Sequence, residues 1–160
     1  MVKNSKNLLI KLILLISIIA LISAFFIEYI LGHQPCNLCI LERIPYFLAI
    51  IVILLNYKFI EFEKFFILFL TIIFLFGTVL SLYHLGIEQG LIQESLVCDL
   101  KSGSNLLSKE EILKQLQEKS VSCKDVTFKM FGLSLPSYNI LISILITFSA
   151  GKIYFNYDKN

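Results

Sequence analysis

The sequence predicts an all-α integral membrane protein: one four-helix bundle over residues 1–160, with a short first loop and a long second loop on the face away from both termini. Of the 160 residues, 57% are hydrophobic and only 16% are charged, and mean hydropathy is +0.80, more apolar than a soluble core of this size requires. The apolar residues gather into four runs that approach or exceed the about 20 helical residues needed to cross a hydrocarbon core ~30 Å thick. All four cysteines fall on one side of the predicted bundle, two of them at the mouth of the second run.

The first span is predicted at about 8–31, preceded by Lys3 and Lys6 and carrying Lys11. It is longer than the apolar core of a cleaved leader and therefore reads as a retained helix. Glu28 sits at its far end, near water. Residues 32–37, including Gly32-His33-Gln34-Pro35, form a short outer turn, and the second span follows at about 38–56. A short inner loop from Asn56 to Lys64 leads to the third span at about 65–85, and the fourth is placed at about 135–155. Tyrosines near the run ends, Tyr29, Tyr46, Tyr57 and Tyr154 among them, suit amphipathic rings at the headgroup level.

The long segment 86–134 carries Ser108-Lys109-Glu110-Glu111, a capping box followed by Ile112, Leu113 and Leu116 at helical spacing. A short surface helix, resting on the membrane or simply solvated, is expected there. Lysines and arginines divide equally between the two sides, but the three amino-terminal lysines, Lys3, Lys6 and Lys11, meet no acid, whereas the long loop mixes lysines with acids. Both termini are accordingly placed in the cytoplasm and the cysteines outside, in the periplasm or another oxidising space. Paired cysteines suit that oxidising side. The scattered charges, netting +2, form no basic face for nucleic acid.

Cys36-Asn37-Leu38-Cys39 stands at the mouth of the second span. A helix opening at Pro35 would put Cys36, Cys39 and Arg43 at i, i+3 and i+7 on one face, with the sulfurs near the positive helix end. Cys39 then reads as a stabilised thiolate, and Arg43, about one turn deeper, as an ionisable group at a depth that demands a partner or a ligand. A dithiol that closes to a disulfide releases two electrons. A quinone, planar, apolar and membrane-soluble, accepts two, and Arg43 could donate to its carbonyl oxygen. Pro45 removes one helical donor and loosens the turn beside this pocket. Snorkelling of Arg43 to headgroups is the plainer reading. A structural disulfide is the plainer reading of the CxxC; zinc is disfavoured, because Cys98 and Cys123 make no second CxxC and a closed site needs all four sulfurs together.

The stretch CNLCILER from Cys36 to Arg43, followed by IPYF, resembles the CxxC-x-x-E/Q-R signature of the DsbB family, bacterial inner-membrane thiol oxidases. Tyr83 to Glu88 (YHLGIE) and Gly132 to Tyr138 (GLSLPSY) are weaker matches. The resemblance implies that Cys98 and Cys123 form the disulfide that oxidises a periplasmic thioredoxin-fold partner of the DsbA type, Cys98 being the sulfur attacked. It implies further that Cys123 attacks Cys36 and that Cys39 donates to ubiquinone or menaquinone. That route is the established account of how a bacterial periplasm is kept oxidising, so here it comes from the resemblance alone.

His84, near the outer end of the third span, is expected to face Arg43 and either bond the opposite quinone oxygen or deliver protons, with Glu88 at i+4 setting its charge. Glu42 is expected to orient Arg43 or the helix end. No metal is expected. Two other classes compete. A protein similar to vitamin K epoxide reductase would carry its loop cysteines before the CxxC, the reverse of the order here. A tetraspanin-like scaffold with structural disulfides gives no reason for Cys39 and Arg43 at the lipid boundary.

Overall fold

The computed structural model describes residues 2–93, 98, 122–124, 129–130 and 132–157. Its long helices are α1 (Val2–Tyr29), α3 (Ile44–Lys58), α4 (Glu63–Glu88) and α5 (Leu135–Phe155), with a one-turn helix α2 (Asn37–Leu41) ahead of α3. A 3₁₀ turn at Ile60–Phe62 joins α3 to α4, and a two-stranded ribbon, β1 (Lys129–Met130) with β2 (Leu133–Ser134), leads into α5.

Four segments are long and apolar enough to cross a membrane: Lys6–Tyr29, Asn37–Lys58, Ile60–Glu88 and Leu135–Phe155. They match the four expected runs, but the second and third extend closer together because the expected inner loop is largely helical. The capping box at Ser108 and its helix lie outside the described residues.

Within a bilayer the hydrophobic effect does not pull helices together, so close packing and internal hydrogen bonds must. Small residues allow the approach. A Cβ built on Gly77 would sit 3.2 Å from Pro45 Cγ and 3.7 Å from Ser143 Oγ, so α3, α4 and α5 converge at that glycine. Above and below it, Ala49, Ile53 and Phe74 are fully buried, and Tyr46 meets the Phe74 ring edge to face at 5.6 Å. The closest helix pair is α4 with α5, while α3 packs on both α1 and α4. Large apolar side chains such as Ile22, Leu54, Phe76 and Leu145 point outward, as lipid contact requires.

Three buried serine and threonine hydroxyls in this apolar slab donate to carbonyls of their own helices. Ser17 donates to Ile13 O at 2.9 Å, Thr78 to Phe74 O at 2.8 Å and Ser81 to Gly77 O at 2.9 Å. At the end that carries both termini, Lys6 Nζ pairs with Glu63 Oε2 at 2.7 Å, Tyr157 OH donates to the same oxygen at 3.2 Å, and Lys6 lies 4.6 Å from the Tyr157 ring. This clasp joins α1, α4 and the residues after α5. The cysteines lie at the opposite end.

Candidate functional site: a dithiol backed by a histidine–carboxylate chain

Cys36 is the residue that caps α2, with extended backbone (φ −71°, ψ 168°). The helix therefore opens at Asn37, after Pro35 and Cys36. Cys36 Sγ accepts the Cys39 backbone N–H at 3.3 Å, taking the role a serine or aspartate oxygen usually fills at a helix start. The two sulfurs lie 2.9 Å apart as an unbonded pair, Cys36 buried and Cys39 partly open. The Cys39 thiol beside it holds the Cys36 thiol well below its ordinary range, against the opposing effect of burial and with further help from His84.

The straight helix assumed for a shared Cys36, Cys39 and Arg43 face is interrupted. Helix α2 ends at Leu41, Arg43 N bonds Ile40 O at 3.1 Å in a tightened turn, and α3 restarts at Ile44 with Pro45 in its first turn. Proline has no N–H to continue the ladder and its ring clashes one turn back. Arg43 thus stands beyond the break, and its position does not follow from the i, i+3, i+7 register.

The break turns Glu42 and Arg43 to separate partners. Glu42 does not orient Arg43. It is buried, with Oε1 2.8 Å from His84 Nδ1 and Oε2 accepting Asn139 Nδ2 at 3.0 Å. His84, only 2% exposed, has its other nitrogen, Nε2, 3.5 Å from Cys36 Sγ. Its carboxylate partner is therefore Glu42, not Glu88, and it faces a sulfur, not Arg43. Helical spacing alone points to Glu88 because it sees only neighbours on α4; Glu42 arrives from another helix.

Behind Glu42, Asn139 of α5 gathers four side chains. It donates to Glu42 and to Ser81 Oγ at 2.7 Å, and its Oδ1 accepts from Tyr46 OH and from Ser143 Oγ at 3.4 Å. Nothing in the spacing of the sequence singles out Asn139 or Ser81, and Tyr46, expected as a headgroup-level ring, is instead buried with its hydroxyl turned inward. The available signal is a wide amide inside an apolar run, four residues before Ser143.

On the lipid side, Arg43 Nη1 donates to Glu28 Oε2 at 2.5 Å, and its guanidinium lies 5.2 Å from the centre of the Phe25 ring. Phe25 meets Phe47 edge to face at 6.3 Å and stacks on Tyr29 at 6.1 Å. The partner that Arg43 needs at that depth is Glu28, an acid inside the first apolar run and thus itself a signal. Arg43 and Glu28 remain partly open, at 15% and 23% of their side-chain areas.

Over the CxxC lies the second cysteine pair. Cys98 and Cys123 are joined in a disulfide with Cα atoms 5.9 Å apart, and both are buried in one cluster with Cys36, Leu38 and Ile87. Asn37 Nδ2 donates to Cys98 O at 3.2 Å, tying the loop to the first turn of α2. Among the described residues, Cys36, Cys39 and His84 also offer three ligand atoms within 4.8 Å of one another. A soft metal ion could use that set, through a histidine that the four-sulfur argument leaves out.

The arrangement can therefore hold a thiolate at Cys36, hold a proton at His84, and bring a disulfide next to a dithiol. The family model of disulfide bond formation protein DsbB matches residues 6–152. A protein of Rickettsia prowazekii (strain Madrid E), described as "Uncharacterized protein RP370", is 32% identical over 165 residues, covering 99% of this chain and 94% of that one. No solved structure matches the chain. With a two-pair cysteine centre at one end of four membrane-spanning helices and a family match over nearly the whole length, the chain belongs to the DsbB family of disulfide bond formation proteins.

Proposed function

We propose that this protein is a membrane thiol oxidase that reoxidises a DsbA-like thioredoxin-fold dithiol in the periplasm and passes the two electrons through its cysteine pairs to a membrane quinone. The observation that carries this reading is the burial of the Cys98–Cys123 disulfide in one cluster with Cys36 of the reduced CxxC. Disulfide exchange needs an attacking thiolate and an accessible sulfur within reach, and the two pairs share one packed site.

The relay balances in four thiol–disulfide exchanges. A partner thiolate attacks Cys98, Cys123 leaves, and the partner's second thiol resolves the mixed disulfide, so the partner is oxidised and the loop pair reduced. Cys123 then attacks Cys36 of the oxidised CxxC, and Cys98 closes back on Cys123. The Cys36–Cys39 dithiol left behind, with the loop disulfide restored, is the redox arrangement of this structure. Its two electrons and two protons leave together as the CxxC disulfide re-forms.

A quinone headgroup fits the lipid side of the site by the chemistry of the groups there. Arg43 offers several N–H donors besides the Nη1 hydrogen given to Glu28. Phe25 and Phe47 supply aromatic surface, and Cys39, partly open, would be the sulfur that gives up electrons. When bound, ubiquinone or menaquinone would supply the two-electron, two-proton acceptor. Arg43 would hold a carbonyl oxygen, and His84, facing Cys36, would take a thiol proton. Both termini would face the cytoplasm of a bacterial inner membrane.

The test mixes the purified protein with quinone and a reduced thioredoxin-fold substrate and follows quinone absorbance. Thiol-dependent quinol formation is expected; its absence rejects the oxidase.

A further inference from the structure

We propose that Asn139 is a positioning residue for the CxxC: it fixes Glu42 as the partner of His84 Nδ1 and so leaves one exchangeable proton in the buried chain, between His84 Nε2 and Cys36 Sγ. The inference builds on the oxidase reading for its meaning in turnover, but its geometry stands apart from any acceptor.

The direction of each hydrogen bond from Ser81 through Asn139 to His84 Nδ1 follows from the donors and acceptors present. Ser81 Oγ spends its hydrogen on Gly77 O at 2.9 Å, so toward Asn139 Nδ2, 2.7 Å away, it accepts. The second amide hydrogen goes to Glu42 Oε2 at 3.0 Å. Oδ1 receives Tyr46 OH and Ser143 Oγ. Both donors and the acceptor of Asn139 are thus matched. Turning the amide over would set Oδ1 against the Glu42 carboxylate and the NH₂ group against two hydroxyl donors, so only one orientation is satisfied.

Glu42 as a carboxylate only accepts, from Asn139 on one oxygen and from His84 on the other. His84 Nδ1 must then carry a hydrogen. Nε2 is the remaining nitrogen, and it faces Cys36 Sγ at 3.5 Å. When the dithiol closes to a disulfide it loses two electrons and two protons: the electrons and the Cys39 proton go to the quinone-class acceptor, and the Cys36 proton, received first at His84 Nε2, is passed on afterwards to complete the quinol. The resulting imidazolium charge is balanced by Glu42. Among the described residues, the other titratable groups near Cys36 are Cys39, whose sulfur is 2.9 Å away, Tyr83, which packs on the same cluster, and Tyr46 behind Asn139; Cys98 and Cys123 are disulfide-bonded, and Arg43 is engaged by Glu28.

Without Asn139, the carboxylate loses the donor that holds one of its oxygens, and the Cys36 thiolate loses an aligned His84. The experiment measures iodoacetamide alkylation of Cys36 against pH, resolved by peptide mass, in the full-length chain with the CxxC reduced. Variants are Asn139→Leu, which keeps volume and removes every polar atom, and Ser81→Ala, which removes only the acceptor that steers the amide. The alkylation midpoint is expected to move to higher pH in both, more in Asn139→Leu. Labelling at mildly acid pH then slows roughly tenfold for each pH increment of about one by which the midpoint rises. Unmoved midpoints in folded variants would overturn the proposal and leave Asn139 a packing residue. If Asn139→Leu does not fold, Ser81→Ala decides alone. A moved midpoint in a chain whose unaltered form reduces no quinone would uphold the positioning role and reject the oxidase.

Discussion

His84 and Glu42, one from α4 and one from the end of α2, meet at 2.8 Å between Nδ1 and Oε1 with both side chains buried. Neither residue has a comparable partner on its own helix, so this contact both locks the α2 turn to α4 and sets the imidazole tautomer. Glu42→Gln keeps the size and removes the charge. A hydrogen bond to a charged group contributes about 1.5–3 kcal/mol, so the thiol-dependent loss of quinone absorbance should slow by about 10- to 100-fold. A rate within twofold of the unaltered protein would show that the pair is not part of the relay.

Cys36 also makes the reduced protein sensitive to pH. Its thiol is held below the ordinary value of 9.0 in the folded chain, so the folded state favours the deprotonated form. The stability this adds is fully present only above pH 9 and is lost as pH falls through the folded value. Relative to Cys36→Ala, the reduced protein should therefore gain resistance to denaturant between about pH 5 and about pH 8. A constant difference across that window contradicts the assignment.

Cys39→Ser removes the sulfur that stands partly open beside the lipid face. Partner oxidation should stop after one equivalent, leaving Cys36, Cys98 and Cys123 as free thiols that alkylation and mass can count. Continued oxidation at the original rate would exclude Cys39 as the donor.

Arg43 and Glu28 should behave as a unit. Breaking a buried pair by removing one partner costs about 3–5 kcal/mol, while replacing both by apolar groups is often nearly neutral; with both groups partly open here, the cost falls below that range. Arg43→Leu and Glu28→Leu should each lower the thermal midpoint in detergent, and the double variant should recover much of the loss. Quinone reduction should stay impaired in the double variant, separating the stabilising role of the pair from the ligand role of Arg43.

Gly77→Val tests the helix crossing. A Cβ there already falls 3.2 Å from Pro45 Cγ, and the added methyl groups have to displace the proline or Ser143. Overpacking of this kind costs about 1–3 kcal/mol. A variant as stable as the original would mean that α3 and α4 do not depend on this approach.

The four spans are legible in the sequence because an apolar run of sufficient length has few alternatives, and the CxxC because its spacing fixes its chemistry. What escapes the sequence is pairing across helices. Glu42 and Arg43 are neighbours in the chain and read as one unit until the Pro45 turn separates them. Spacing assigns Glu88 to His84 because only same-helix neighbours can be counted from it, whereas Glu42 reaches the imidazole across 42 positions. Asn139 is hidden for the same reason: its four contacts come from α3, α4 and α5 and the end of α2, and no periodicity joins them.

The interruption between Leu41 and Ile44 sends consecutive residues into different surroundings, Glu42 into the dry interior and Arg43 toward the hydrocarbon. On the proposed reading, proton handling and ligand capture would thereby fall on opposite walls of a single thin partition, in which the dithiol is set. Inserting one alanine into that joint would rotate α2 by about 100° against α3. Sulfur, imidazole and guanidinium would all survive such an insertion, yet the two walls would no longer open onto the same thiol pair.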